Sequence, residues 1–229
     1  DSSTSRGLGD VYKRQVFGVS VVDVVASTTK LRLVILVSGV GSLMNAVVEA
    51  TRDPHYPAEI VAVGADRPCE GLTRAESAGI ETFLVNFSDY ANRAEWDEAL
   101  ATTIARYQPD LIVSAGFMRI AGKNVLKDFG GRFINTHPAL LPAFKGAHAV
   151  EDALAYGVKY TGSSIHLVDE GVDTGPLLAQ EPVPVLPDDT VEALHDRIKI
   201  VERRLLCEVI ADIATDGPSA RVTRIQQSQ

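Results

Sequence analysis

The sequence predicts an α/β protein, a mostly parallel twisted sheet with helices on both faces. Three observations carry that expectation. Short, nearly continuous apolar runs, Leu31–Val37 and Leu111–Ser114 among them, read as strands buried on both faces. They alternate with segments whose apolar residues recur at helical spacing, the pattern of strand–helix–strand crossovers. Several strands run into glycine-rich or polar stretches, where ligands of such sheets bind.

Bulk composition narrows the class. The chain has 229 residues, enough to bury a substantial core, with 45% hydrophobic and 23% charged residues as in ordinary soluble domains. The net charge of −8 and the lack of a Lys/Arg cluster argue against a nucleic-acid partner. No apolar run reaches membrane-spanning length. Cys69 and Cys207 fit no metal or redox spacing and read as free thiols of a reducing compartment, which points to the cytoplasm. His55, His137, His148, His166 and His195 show no metal-ligand spacing, so no metal is expected and their scatter reads as background.

Residues 1–30 are expected to be a disordered or artefactual tail. Asp10-Val-Tyr-Lys-Arg-Gln15 resembles an in-frame translation of a sequencing adapter. Val16–Ala26 is apolar but short and interrupted by Asp23; a signal-peptide core is its rival reading. Structure should begin at Leu31. After that first strand comes Ser38-Gly-Val-Gly-Ser42, then Leu43, Ala46, Val47 and Ala50 at helical spacing. A glycine turn opening a helix lets backbone approach a ligand and offers unpaired N–H groups to an anion. A dinucleotide fingerprint would need glycine where Met44 stands, so the turn suits one phosphate better than a pyrophosphate. The alternative is a plain α/β turn.

Glu59–Ala65 reads as a strand, Glu70–Ala78 as a helix and Thr82–Val85 as a strand. Arg93–Tyr107 reads as a helix with Trp96, Leu100, Thr103 and Tyr107 on one face. Leu111–Ser114 then runs into Phe117-Met-Arg-Ile-Ala121. Further on come a helix over Ala149–Tyr156 with Gly157 as its cap, and a strand over Thr161–Val168. Leu177–Val185 is strand-like, and Pro182 and Pro184 confine it to an edge. Asp189 with Glu192 reads as a capping box for the last helix, whose stripe is Val191, Leu194, Ile198, Val201 and Leu205. Glu202 on the shoulder of that stripe reads as a half-solvated carboxylate. Residues 215–229 read as a loose tail.

The stretch that concentrates chemistry is Phe133-Ile-Asn-Thr-His137. Strand side chains alternate, so Asn135 and His137 share a face, and Pro138 keeps His137 extended. A neutral amide beside a titratable imidazole could hold a developing oxyanion, more so with Asp173 near. The rival reading is a strand end whose polar groups cap the next loop. Neither a serine in a nucleophile elbow nor an activated cysteine is evident, which favours direct attack on a carbonyl without a covalent enzyme intermediate.

Asn135-Thr-His137-Pro-Ala-Leu-Leu-Pro142 resembles the Asn-x-His-Pro-Ser/Ala-Leu-Leu-Pro signature of the folate-dependent formyltransferases. Gly162-Ser-Ser164-Ile165-His-Leu-Val168-Asp-Glu170-Gly-Val172-Asp173-Thr-Gly175 resembles their second signature. The likeness runs from about Leu31 to the end of the last helix. It implies a Rossmann-like formyltransferase fold over residues 31–214. It implies transfer of a formyl group from 10-formyltetrahydrofolate, a co-substrate, to the amine of 5-phosphoribosylglycinamide in purine synthesis. Asn135 and His137 would stabilise the oxyanion, His137 would pass a proton to the leaving folate nitrogen, and Asp173 would raise the pKa of His137. Gly41, Ser42 and Leu43 would take the phosphate, and Glu202 would meet the nucleotide. Several members carry Asn where Leu43 stands, so only its backbone N–H could serve. Met118, Arg119, Ile120 and Ala121 would bind folate through backbone groups, with Arg93 and the loop Asp169-Glu170-Gly171-Val172 beside it. The implied partners are small molecules only, with the chain a monomer or homodimer.

Formyltetrahydrofolate hydrolase shares the catalytic set but uses water, and it usually carries a regulatory domain that about thirty doubtful N-terminal residues could not form. Methionyl-tRNA formyltransferase would need a further domain and a basic surface. A non-catalytic folate- or nucleotide-binding module is the reading from a different class. Deleting residues 1–29 should leave turnover unchanged; a large fall in melting temperature would show that the segment packs on the domain.

Overall fold

A computed structural model of the chain describes residues 29–217; the readings of residues 1–28 and 218–229 lie outside the described residues. Seven strands form one sheet: β1 (Leu31–Val37), β2 (Ala58–Ala65), β3 (Thr82–Leu84), β4 (Leu111–Ser114), β5 (Phe133–His137), β6 (Tyr160–Leu167) and β7 (Leu177–Pro184). Their order is β3-β2-β1-β4-β5-β6-β7. The first five pair in parallel, while β5–β6 and β6–β7 are antiparallel. The helices are α1 (Ser42–Thr51), α2 (Glu70–Ser77), α3 (Arg93–Arg106), α4 (Lys123–Phe129), α5 (Ala149–Tyr156) and α6 (Val191–Asp216). The mostly parallel α/β architecture read from the sequence is the one observed.

The continuous apolar run of β1 is explained by its two cores. Leu33, Ile35 and Val37 pack with Met44 and Val47 of α1 and Leu206, Val209 and Ile210 of α6. Val34 and Leu36 pack on the opposite face with Trp96, Leu100 and Ile104 of α3 and Val125 and Phe129 of α4. Every one of these side chains is fully or almost fully withdrawn from water, which is where most of the stabilisation of such a sheet comes from, roughly 25 cal/mol per Å² of apolar surface.

Three local expectations are corrected. The buried stripe of α3 is Trp96, Leu100, Ala101 and Ile104, with Thr103 and Tyr107 only half buried, because the helix turns its small Ala101 toward the sheet. The last helix is capped by Thr190, whose hydroxyl accepts from Ala193 N at 3.2 Å. Asp189 instead accepts from Leu186 N at 2.7 Å and pairs with Arg197, so no capping box forms, and α6 runs past residue 214 to Asp216. Helix α4, absent from the sequence reading, starts at Gly122, which has no side chain to cap it. The cap comes from α3: the buried Asp97 carboxylate accepts from Gly122 N and Asn124 N, each at 2.7 Å. A Cβ on Gly122 would stand 2.3 Å from Asp97 Cγ, so glycine is needed for the approach.

The left-handed Gly157 caps α5 as expected, at φ 82°. The Leu141–Pro142 peptide is cis. Pro182 and Pro184 lie on β7, which pairs only with β6, again as expected. Asp97→Ala should cost about 1–3 kcal/mol, the price of leaving two helix-start N–H groups without their acceptor. Urea unfolding measures the loss, and amide exchange should quicken at Gly122 and Asn124; unchanged exchange there would count against Asp97 as the cap.

Candidate active site

The sheet reverses direction of growth between β1 and β4, so the loops after these strands diverge and leave a crevice at their carboxyl ends. Three sequence-singled stretches meet along this edge. The turn 38–41 follows β1, the stretch 115–122 follows β4, and β5 delivers Asn135 and His137. Register places Leu36 beside Ser114 and Ser114 beside Asn135, so the three are neighbours.

Asn135 and His137 share a face of β5. The antiparallel pairing with β6 sets His166 directly opposite Asn135. The loop after β6 then returns Asp173 to the pair. His137 Nδ1 lies 3.3 Å from Asp173 Oδ2, His166 Nε2 lies 3.4 Å from Asp173 Oδ1, and Asn135 Nδ2 lies 3.2 Å from His166 Nε2. Four side chains thus form one network. Its two imidazoles are withdrawn from water, His137 4% and His166 3% exposed, whereas Asn135 and Asp173 are partly exposed. Gly146 N donates to Asp173 Oδ2 at 2.8 Å, which ties the loop after Pro142 to the same carboxylate.

The ring nitrogens constrain one another. His166 Nδ1 lies 2.9 Å from the Leu167 carbonyl, which can only accept, so this nitrogen carries a hydrogen. His166 Nε2 then either accepts from the Asn135 amide or, when protonated, donates to Asp173. His137 Nε2 lies 2.7 Å from the Phe144 carbonyl and donates to it, leaving Nδ1 toward Asp173.

His166, ahead of the Gly146 amide, holds the Asp173 carboxyl down to about 2 against the opposing effect of burial. Asp173 does push the pKa of His137 upward, as expected, but it does not set the net direction. Burial drives the imidazole below its ordinary range, and the upward push of the Phe144 carbonyl and Asp173 is the smaller effect; His166 adds to the fall.

The glycine turn is built for close approach. Gly41 is left-handed at φ 77° and precedes α1, and a Cβ on it would come within 3.0 Å of Gly71 Cα. No side chain caps α1, so its first N–H groups are left for an anion. Ser42 is half buried, whereas the Leu43 side chain packs in the core and leaves only its backbone for a ligand. Met44, at the position a dinucleotide fingerprint gives to glycine, is fully buried beneath the turn.

Within the stretch after β4, Met118 N already donates to Ser38 Oγ at 2.8 Å, and the Ile120 carbonyl already accepts from Arg93. The Arg119 guanidinium turns back to Asp66 at 2.9 Å. Met118 is 72% and Ile120 45% exposed, while Ala121 is buried. In the loop after β6, Asp169 accepts from Gly171 N and Thr174 Oγ1 at 3.0 and 2.7 Å, so its carboxylate shapes the loop, and Val172 is exposed. Glu170 is exposed at the loop tip.

Comparison with known proteins gives this arrangement its class. The family model described as Formyl transferase matches residues 31–210. The chain belongs to the formyl transferase family. A phosphoribosylglycinamide formyltransferase of Mycobacterium tuberculosis is 55% identical over 186 residues, covering 81% of this chain and 86% of that protein. Among solved structures, glycinamide ribonucleotide transformylase 1 from Symbiobacterium toebii aligns with a TM-score of 0.79 at 39% identity, covering 81% of this chain and 88% of that one. Phosphoribosylglycinamide formyltransferase from Brucella melitensis aligns with a TM-score of 0.77 at 41% identity, covering 81% and 96%. The α/β formyl transferase fold is therefore that of this chain.

The sequence reading missed His166 as a site residue, taking it for one of five scattered histidines. Its signal was the second signature itself, where it stands between Ile165 and Leu167. Glu202 is corrected from half-solvated to buried, at 4% exposed, because it faces the sheet from α6. Burial there raises its carboxyl to about 7 despite Lys199 and Arg203. Among the described residues no helix is long and apolar enough to cross a membrane, and no group of three or more His, Cys, Asp or Glu is placed to hold a metal ion.

A raised acid pKa in the folded state favours folding while both states are protonated and is lost as pH rises through the folded value. Glu202→Gln should therefore match wild type below about pH 4.5 and be the more stable protein above pH 7, the gap opening by at most ~1.4 kcal/mol per pH unit. Urea midpoints at pH 4.5, 6 and 8 test this; a gap independent of pH would contradict it.

Proposed function

We propose that this chain is a phosphoribosylglycinamide formyltransferase, moving a formyl group from 10-formyltetrahydrofolate to the amine of 5-phosphoribosylglycinamide in purine biosynthesis. One observation carries the reading: Asn135, His137, His166 and Asp173 form one network, its two imidazoles buried, beside an anion-ready helix start. The identity to phosphoribosylglycinamide formyltransferases supports the substrate.

In this reading the substrate amine attacks the formyl carbon and its C=O becomes an oxyanion. Asn135 has two amide hydrogens; one is used toward His166 and the other is free to donate to that oxygen. With its pKa pulled down, the resting His137 ring is a base, able to accept the proton the attacking nitrogen must shed. The Asp173 carboxylate then stabilises the imidazolium, which returns the proton to N10 of the folate as the carbon–N10 bond breaks. His166 fixes the positions of both Asn135 and Asp173. The N–H groups of Gly41, Ser42 and Leu43 take the phosphate, and Glu202 meets the nucleotide. Folate lies against Arg93, residues 118–121 and the loop Asp169–Val172. Because Met118 N and the Ile120 carbonyl are already engaged, the other backbone groups of residues 118–121, the Met118 carbonyl and the Arg119 and Ile120 amides among them, are left to it.

Incubation with both substrates should release tetrahydrofolate. Release without the ribonucleotide would mean a hydrolase, and tight folate binding without turnover would mean a binding module. Asp173→Asn should lower kcat by about 10²-fold or more while the ribonucleotide Kd moves by less than about threefold. Equal losses in both would remove Asp173 from the proton path.

A further inference from the structure

Asp66 takes no part in the chemistry above, yet it is among the most completely buried charges in the molecule, with its side chain fully withdrawn from solvent. It stands at the end of β2, one strand away from the crevice. Its Oδ1 accepts from Ser38 Oγ at 2.6 Å. Its Oδ2 accepts from Arg119 Nε at 2.9 Å and from Arg67 Nη2 and Nε at 2.9 and 3.2 Å. Ser38 opens the glycine turn, and its hydroxyl also accepts from Met118 N. Arg119 lies over the Phe87 ring at 4.1 Å, and Phe87 N donates to the Asp66 carbonyl at 3.0 Å.

These contacts divide unequally between the two ligand loops. The glycine turn has other supports: Ser38 N donates to the Gly116 carbonyl at 3.2 Å, Gly71 N to the Gly39 carbonyl at 2.9 Å, and α1 follows at once. Residues 118–120 have no regular structure of their own. Met118 is held through Ser38, Arg119 through Asp66 and Phe87, and Ile120 through Arg93. Two of these three anchors pass through one carboxylate.

We propose that Asp66 is a positioning residue for the carrier-side substrate: by holding Ser38 and Arg119 together it fixes the backbone of residues 118–120 in the shape that receives the folate. The proposal rests on the function proposed above for the identity of that ligand, but not for the mechanical link. An amide at this position could not replace the carboxylate. One of its two polar atoms would be an NH₂ group facing either the Ser38 hydroxyl or a guanidinium, and Arg119 would lose its ionic partner.

The test compares wild type, Asp66→Asn and Ser38→Ala by amide exchange over residues 117–121 and by calorimetric titration with tetrahydrofolate and, separately, glycinamide ribonucleotide. Both variants should exchange Met118 at least about tenfold faster, because the Ser38 hydroxyl that accepts from this amide is removed in one variant and loses its anchoring carboxylate in the other. Both should bind tetrahydrofolate about tenfold more weakly and the ribonucleotide within about twofold of wild type. Should Asp66→Asn fail to fold, Ser38→Ala still breaks the relay without touching a charge. Unchanged exchange in a folded variant would overturn the link, and equal weakening of both ligands would overturn the carrier-side assignment. A wild-type chain that binds neither ligand would sink the proposed function, while exchange alone still decides the link.

Discussion

A carboxylate that leaves water must find donors, and the Asp173 side chain, 11% exposed, finds one in the Gly146 amide and has the His137 and His166 rings beside it, each able to donate to it when protonated. Much of the site follows from satisfying that one anion. It draws a strand, its antiparallel neighbour and two loops onto a common point. Asp173 reaches it in a left-handed conformation, φ 51°, costing on the order of 1 kcal/mol for a residue with a Cβ. The rest of its loop is braced: Asp169 ties Gly171 and Thr174, and Gly175 passes so close to the Leu167 carbonyl that a Cβ would fall 1.8 Å from it. The energy of a well-paired buried charge thus maintains a backbone shape that the loop would not choose by itself.

The same physics recurs across the crevice with opposite emphasis. Asp66 is held low in pKa by Arg67, Ser38 and Arg119, which together outweigh its burial. Asp97 is likewise buried, and it organises a helix start in place of a ligand loop. Three acids, one after β2, one inside α3 and one in the loop between β6 and β7, each convert a desolvation cost into a fixed arrangement of backbone N–H groups or side chains. The burial of Glu202 without a hydrogen bond among the described residues is the exception, and its raised pKa is the consequence.

How much of this could be read beforehand depended on whether the cause was local. The strands were legible because burial on both faces writes an unbroken apolar run, as in Leu33–Val37. Asn135 and His137 were legible because strand periodicity alone puts them on one face, and Asp173 through the signature that contains it. Helix α4 was not, since its cap is supplied by Asp97, 25 residues away. The role of His166 depends on antiparallel register, which a sequence does not state. The net direction of the His137 shift depends on how deeply the ring is buried, which outweighs the upward push of Asp173 that the sequence did suggest. The Thr190 cap was displaced by one residue because Asp189 is drawn off by Arg197, a partner one coil of the helix further along and another beyond.

The border of the sheet at β7 has a bearing on how copies of this chain could meet. Pro182 and Pro184 are two apart, so the hydrogens they lack are lacking on one side of the strand. An incoming ribbon seeking to continue the ladder would find successive rungs missing. Beside them Arg204 reaches Glu181, placing paired charges along the rim. Growth of the sheet by strand addition is therefore blocked along this edge, and a second copy meeting the protein here would do so through side-chain surfaces rather than through a shared backbone lattice.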